Sequence, residues 1–395
     1  MAKSCDRCRV RALVFFVLAA TWWLVATAGA STAEPVRAKN GMVAGPERHA
    51  VTAGVEILKQ GGNAFDAAAT VGFALTVTEI SAANLGGGGF MTALQADGMP
   101  LFLDFRDVVP AAATQDMFLG LLGIRYPWQE RSVLAATVPG TVHGLLQVHA
   151  DYGRLPRQIV LAPAIRLAEE GFQVSEGLSR KLAEEQKRLK KFPTTAATFY
   201  SNGAAPRPGW LLKQPGLAAT LRRVAEQGVD GFYQGWTADL FVAYMKANGG
   251  IITHEDLAGY KSIYRKPVIF AYKDYTVIST PAPSTGGFTL SQTLRLLEPF
   301  TLASPGHNSP RYVHTVVEAV RLAFADRNHY LDDPDFTDVP YDRHPAPGKR
   351  RARRPQRQPR RRHRNRLLND ARAAPPEQPE SQPDLIPVTG QSAAP

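Results

Sequence analysis

Arg106 lies between two carboxylates, Asp104 and Asp107, immediately past the apolar run Leu101 to Phe105. A guanidinium so placed can be held by one carboxylate while it forks onto the carboxylate of a ligand. An ordinary ion pair at a strand end uses the same residues and does no chemistry. The other candidates are weaker. Asp332, Asp333 and Asp335, like Asp104 and Asp107, have the types for acid and base pairs, but carboxylates in such places are by default surface or turn residues. Nine histidines are scattered, and the nearest pair in the body, His143 and His149, is six apart, which does not set two ligands on one helical face. No G-x-S-x-G elbow is present. Cys5 and Cys8 form a C-x-x-C with no second pair or nearby His to complete a zinc site. No metal and no cofactor are expected.

The elements that must position Arg106 follow from local patterns. Leu85-Gly86-Gly87-Gly88-Gly89-Phe90-Met91 leads into two runs, Phe90 to Gln95 and Leu101 to Phe105, joined around Asp97-Gly98, which predicts a β-hairpin. A phosphate loop would lead into a helix instead, so nucleotide binding is not expected. Glu47 to Gln60 reads as a helix stopped by Gly61-Gly62, and Asp66 as the cap of a second, internal helix rich in small side chains. Gly140 to His149, Ala162 to Gly171, Leu217 to Gln227, Thr237 to Asn248 and Pro310 to Asn328 read as further helices. Thr253 to Asp256 can cap a short turn, while Pro267 to Tyr272 and Tyr275 to Ser279 read as strands around Lys273-Asp274. This mixed order predicts an α+β or layered α/β domain rather than a doubly wound sheet, and no internal repeat is present.

The chain has 395 residues, 44% of them hydrophobic and 21% charged, with 33 Gly and 30 Pro, which excludes collagenous, coiled-coil and polytopic membrane proteins. Its net charge of +11 is concentrated at the ends. Residues 343–395 hold 13 basic against four acidic side chains, and residues 1–11 four against one, while 12–342 is near neutral with 29 against 30. Neither nucleic acid nor an anionic surface is implied for the body. At the N-terminus, a basic stretch ending at Arg11, the uncharged run Ala12 to Ala30 and the small residues Ala28-Gly29-Ala30 follow the order of a secretory signal. Residues 1–33 are therefore expected to be a signal peptide cleaved after Ala30 or Ala33, with periplasmic or secreted location; the alternative is an uncleaved signal anchor. The mature chain would contain no cysteine.

Gly61 to Ala68, the glycine run from Leu85 to Met91, Asp104-Phe105-Arg106, Val138 to Gly144, Pro281 to Gly287, and Ala323 to Arg327 with Asp333 to Phe336 occur in one order along the chain. Together they resemble the large subunit of γ-glutamyltranspeptidases, also called glutathione hydrolases. The resemblance covers about 300 residues in family order. It implies an N-terminal-nucleophile hydrolase with an αββα sandwich, of α+β class, made as a proenzyme that cuts itself into a large and a small subunit. The new N-terminal Thr then attacks the γ-glutamyl amide of glutathione or a related substrate, and the acyl group passes to water, an amino acid or a peptide. A Thr hydroxyl is weakly nucleophilic and gains a base from its own freed amine. The resemblance transfers binding of the substrate's α-carboxylate to Arg106, and leaves the glycine run and Pro281 to Gly287 as backbone architecture.

The family pattern stops after Asp338-Val339-Pro340-Tyr341, so residues 34–342 form the large-subunit-like region and the sandwich is expected to be incomplete in this chain. The nucleophilic Thr segment is absent from it, hence no catalytic residue is named, and a small subunit would be needed as partner. Residues 343–395, with ten prolines and an arginine-rich stretch, read as a disordered tail. The abrupt change is that expected of a shifted reading frame in GC-rich coding sequence. The chain is accordingly expected to be inactive alone; the alternatives are a non-catalytic fragment or carboxylate-binding remnant, or another amidase of the same fold.

Overall fold

A computed structural model describes residues 35–119 and 132–341. The expected signal peptide, 1–33, and the Arg/Pro-rich segment, 343–395, lie outside the described residues. Helix α1 (Arg48–Lys59) ends ahead of the two predicted glycines. Helix α2 (Ala64–Thr78) begins not at Asp66 but at Asn63. The Asn63 side chain accepts from the N–H groups of Phe65 and Asp66, at 2.9 and 3.0 Å, while the Asp66 carboxylate accepts from the Asn63 N–H at 2.8 Å. This reciprocal box makes Asp66 the third helical residue, a role that one carboxylate in the first turn could not reveal by type alone. As expected, α2 is internal: Ala67, Ala69, Phe73, Ala74 and Val77 are buried.

The predicted hairpin forms from β1 (Gly89–Leu94) and β2 (Pro100–Phe105), which pair antiparallel from Gly89 opposite Phe105 to Leu94 opposite Pro100. Gly98 turns the chain at φ +85°, a conformation that favours glycine. Helix α3 (Thr141–Tyr152) follows, then α4 (Arg157–Glu170). The latter starts five residues before the predicted Ala162 and carries Pro163 in its interior. Proline normally interrupts a helix; here Val160, Leu161, Ala164 and Ala168 are all buried, and their packing outweighs the lost hydrogen bond.

Residues 172–214, to which the sequence assigns no element, hold β3 (Phe172–Gln173), α5 (Glu176–Glu184), α6 (Gln186–Leu189), α7 (Pro193–Phe199) and β4 (Leu211–Leu212). Two-residue strands are too short to show periodicity. Then come α8 (Pro215–Gln227), α9 (Asp230–Tyr233), α10 (Gly235–Ala247), α11 (His254–Gly259) and β5 (Ile263–Tyr264). Thr253 and Asp256 form the capping box of α11, as expected. The strands β6 (Val268–Tyr272) and β7 (Tyr275–Ser279) pair with each other. Helices α12 (Gly286–Leu297), not foreseen in the sequence, and α13 (Pro310–Tyr330) complete the described chain.

Among the described residues the sheets are β1-β2-β5, β3-β4 and β6-β7, so strands are few and helices dominate. The main core gathers Phe73, Leu103, Val138, Val142, Leu161, Leu221 and Leu257, all at or near zero exposure. Each such side chain contributes about 1.5–3 kcal/mol on burial. No helix among the described residues is long and apolar enough to cross a membrane.

Candidate functional site

Arg106 is the first residue beyond β2, and its backbone is fixed from several sides. Its N–H donates to Asp104 Oδ1 at 3.1 Å, and its carbonyl accepts from the Tyr260 hydroxyl at 2.9 Å. Two residues on, Val108 and Val138 exchange backbone hydrogen bonds of 3.1 and 2.8 Å. The glycine run lies against this turn. A Cβ on Gly88 would fall 2.3 Å from the Asp107 nitrogen, and one on Gly140 would fall 2.1 Å from the Phe105 carbonyl oxygen. The carbonyl of Gly87 in turn accepts from Gly140 and Thr141 at 2.7 and 3.0 Å. Three motifs far apart in sequence therefore meet on the backbone of residues 105–107.

The charges are distributed differently from the simplest reading of the sequence. Asp104, buried, is paired with Arg265, whose Nε lies 2.8 Å from its Oδ2. Asp107 accepts from the hydroxyl of Thr137. The Arg106 side chain is exposed and makes no hydrogen bond or ion pair with any described residue. The strand-end ion pair that the sequence allowed is thus made by another arginine, and Arg106 lines a cleft of about 690 Å³ together with Lys261, Arg265 and Arg327 and with the carboxylates of Asp104, Asp107, Asp332, Asp333 and Asp335. Its chemistry is that of a planar cation, unpaired among the described residues, on the wall of a cleft with both charged and apolar lining, a group that can fork onto a carboxylate.

The remaining sequence candidates do structural work. Asp335 accepts both ends of the Arg265 fork, at 2.7 and 2.8 Å, and this pairing holds its carboxyl below the ordinary value. Asp332 accepts from the Asp333 N–H and Asp333 from the Asp335 N–H, at 2.9 and 3.0 Å, so both hold a turn. His143 and His149 face different partners. His143 Nδ1 lies 2.7 Å from the Ser262 hydroxyl, whereas His149 Nε2 lies 2.9 Å from the Leu155 carbonyl oxygen and 3.4 Å from Asp66. Among the described residues no group of three or more His, Cys, Asp or Glu could hold a metal ion.

Two residues that matter here were not found from the sequence. Tyr260 stacks on Tyr233 with ring centroids 5.8 Å apart, and burial pushes the pKa of both phenols up, so each stays protonated and remains a donor. Tyr233 donates to the Pro139 carbonyl at 2.8 Å, next to Gly140. Arg265 is the other. No local pattern marks either, because the contacts join positions 154 and 161 residues apart.

This α+β fold is that of the N-terminal-nucleophile hydrolases, and comparison with known proteins narrows it. The family model for γ-glutamyltranspeptidase matches residues 50–382, a range that runs past Tyr341 into the Arg/Pro-rich segment. The chain belongs to the γ-glutamyltranspeptidase family. It is 44% identical over 313 residues to the glutathione hydrolase proenzyme of Pseudomonas sp. (strain A14), covering 79% of this chain and 54% of that one. It is 43% identical over 311 residues to the glutathione hydrolase proenzyme of Escherichia coli (strain K12), covering 78% and 53%. The crystal structure of Helicobacter pylori γ-glutamyltranspeptidase superposes with a TM-score of 0.77 at 40% identity, covering 78% of this chain and 89% of that chain. The chain spans about half the length of the curated relatives it matches.

Proposed function

We propose that this chain is the γ-glutamyl-binding, large-subunit part of a γ-glutamyltransferase or glutathione hydrolase, exported after cleavage of a signal peptide behind Ala30 or Ala33, and that Arg106 anchors the substrate's α-carboxylate. The observation that carries the reading is the Arg106 guanidinium, unpaired among the described residues, on a hydrogen-bonded turn, with Asp104 paired to Arg265 and Asp107 accepting from the Thr137 hydroxyl. A charge-assisted pair there contributes about 1.5–3 kcal/mol and sets the γ-amide in register with a nucleophile.

In the proposed reaction a Thr at a freed N-terminus, supplied by the small-subunit part of the proenzyme, adds its hydroxyl oxygen to the γ-carbonyl while its amine takes the proton. The C–N bond breaks, the amine departs with that proton, and water or an acceptor amine then releases the acyl group. What supports a small-subunit partner is the surface of α13, where Val313, Val317 and Phe324 are exposed at helical spacing, and of the β6-β7 hairpin, where Ile269 and Tyr275 are exposed. Apolar positions in such a row call for a cover.

The test exposes the purified chain to a chromogenic γ-glutamyl anilide. Saturable binding without release of the aniline is the expected result. Release well above a no-protein blank, with host enzyme excluded, overturns the division of labour; failure of a folded chain to bind overturns the carboxylate anchor.

A further inference from the structure

Arg265 forms the centre of a three-residue charge arrangement at the Arg106 cleft. Its backbone is held on β2, where its N–H donates to the Phe102 carbonyl at 3.0 Å beside the pairing of Ile263 with Asp104. Its Nε donates to Asp104 at 2.8 Å, and Nη1 and Nη2 fork onto Asp335 at 2.7 and 2.8 Å. The Arg265 side chain is 15% exposed and that of Asp104 8% exposed. Asp104 uses its second oxygen on the Arg106 N–H.

We propose that Arg265 is a positioning residue that engages the Asp104 carboxylate and thereby keeps the Arg106 guanidinium free for the carboxylate of a γ-glutamyl ligand. The proposal rests on the reading of Arg106 given above. A buried carboxylate needs a cationic partner, since leaving it unpaired is strongly unfavourable. Asp104 is the penultimate residue of β2 and Arg106 the first beyond it, and the Asp104 carboxylate already accepts from the Arg106 N–H, so the two are neighbours. Without Arg265, Asp104 would draw on Arg106, and the Arg106 guanidinium would be lost to the cleft in an internal pair. Arg265 satisfies Asp104 through one nitrogen and keeps two for Asp335, a division that the planar guanidinium allows and an ammonium cannot reproduce. Asp335 belongs to the turn Asp332 to Phe336, which borders the same cleft, so the fork also joins the two walls of the cleft.

The test reads Arg106 directly, by the rate at which phenylglyoxal modifies it in the full chain, followed by peptide mass spectrometry. In Arg265→Gln the rate at Arg106 should fall about tenfold, which corresponds to ~1.4 kcal/mol of new pairing. Adding Asp104→Asn to Arg265→Gln should restore it, because the neutral amide no longer competes for the guanidinium; a merely structural role of Arg265 predicts no such rescue. Arg265→Lys should lie between. Equal rates in wild type and Arg265→Gln, or a double variant as slow as the single one, overturns the proposal. L-glutamate added to the wild type should protect Arg106. Absence of protection, with the variant rates still separated, overturns the carboxylate reading of Arg106 and leaves the Arg265–Asp104 relationship standing.

Discussion

The Tyr260 hydroxyl donates to the carbonyl oxygen of Arg106 at 2.9 Å and stands 2.2 Å from where a Cβ on Gly140 would be. One phenol thus fixes the turn that carries the candidate anchor and also excludes any side chain from the start of α3.

The two substitutions at this contact should differ in kind. Tyr260→Phe removes one hydrogen bond and should cost about 1 kcal/mol in stability. Gly140→Ala drives a methyl into the Phe105 carbonyl and the Tyr260 hydroxyl and should cost about 1–3 kcal/mol. Urea denaturation midpoints measure both. A Gly140→Ala chain as stable as wild type would show that the turn can yield.

Asp66 is fully buried and accepts from the N–H groups of Asn63, Arg154 and Leu155, with His149 at 3.4 Å. It ties the start of α2 to the turn between α3 and α4. Asp66→Asn places an amide where donors converge and should cost about 3–5 kcal/mol. A loss below about 1 kcal/mol by chemical denaturation would mean that water or a rotated amide replaces the carboxylate.

For Arg106, the informative chain is a chimeric proenzyme that joins residues 34–341 to the remaining part of the Pseudomonas sp. (strain A14) relative. Arg106→Ala should raise KM for a γ-glutamyl substrate by roughly 10- to 150-fold, the factor equivalent to about 1.5–3 kcal/mol. Arg106→Lys should recover only part, since it cannot present a planar fork. Unchanged kinetics in Arg106→Ala would return this residue to the surface.

His143 is held below its ordinary value of 6.5, first by burial and second by the Lys261 charge. Its folded value lies below the unfolded one, so the unfolded chain binds more protons between the two. The stability that His143 contributes is full above about 6.5 and is lost as pH falls from there toward the folded value. His143→Gln should flatten this part of the profile, seen as a smaller difference in Tm between about pH 7.5 and about pH 5.5. Parallel profiles for wild type and variant would remove His143 as the cause.

Local signals located most of the long elements. The Asp97-Gly98 turn placed the β1-β2 hairpin to within a residue, and Gly61, Thr253 and Gly249 marked helix ends where they occur. Helix α4 starts at Arg157 rather than Ala162, because the burial of Val160 and Leu161 extends it N-terminal to Pro163. Helix α12 was hidden by Pro281 to Gly287, whose turn chemistry is local but whose last two residues already belong to the helix. The residue type and place of Arg106 were visible in the sequence; the partner of Asp104 was not. Proximity along the chain favours Arg106 as that partner, yet strand pairing brings Arg265 to it from 161 residues away, and no one-dimensional pattern encodes that preference.

The crowding of Gly88, Gly140 and Gly144 onto Phe105 to Asp107 has a consequence for how this protein can vary. A methyl at any of the three meets Phe105 or the backbone beside it within 2.3 Å, and the Phe105 contacts at Gly140 and Gly144 are both 2.1 Å. Enlargement at one position cannot be offset by shrinking another glycine. In a saturation library, all three positions should be intolerant, with second-site relief at Gly144 from a smaller residue at Phe105, and none at Gly88, where every contact is with backbone. Drift in this region is coupled through shared space around Phe105 rather than through any exchange of charge.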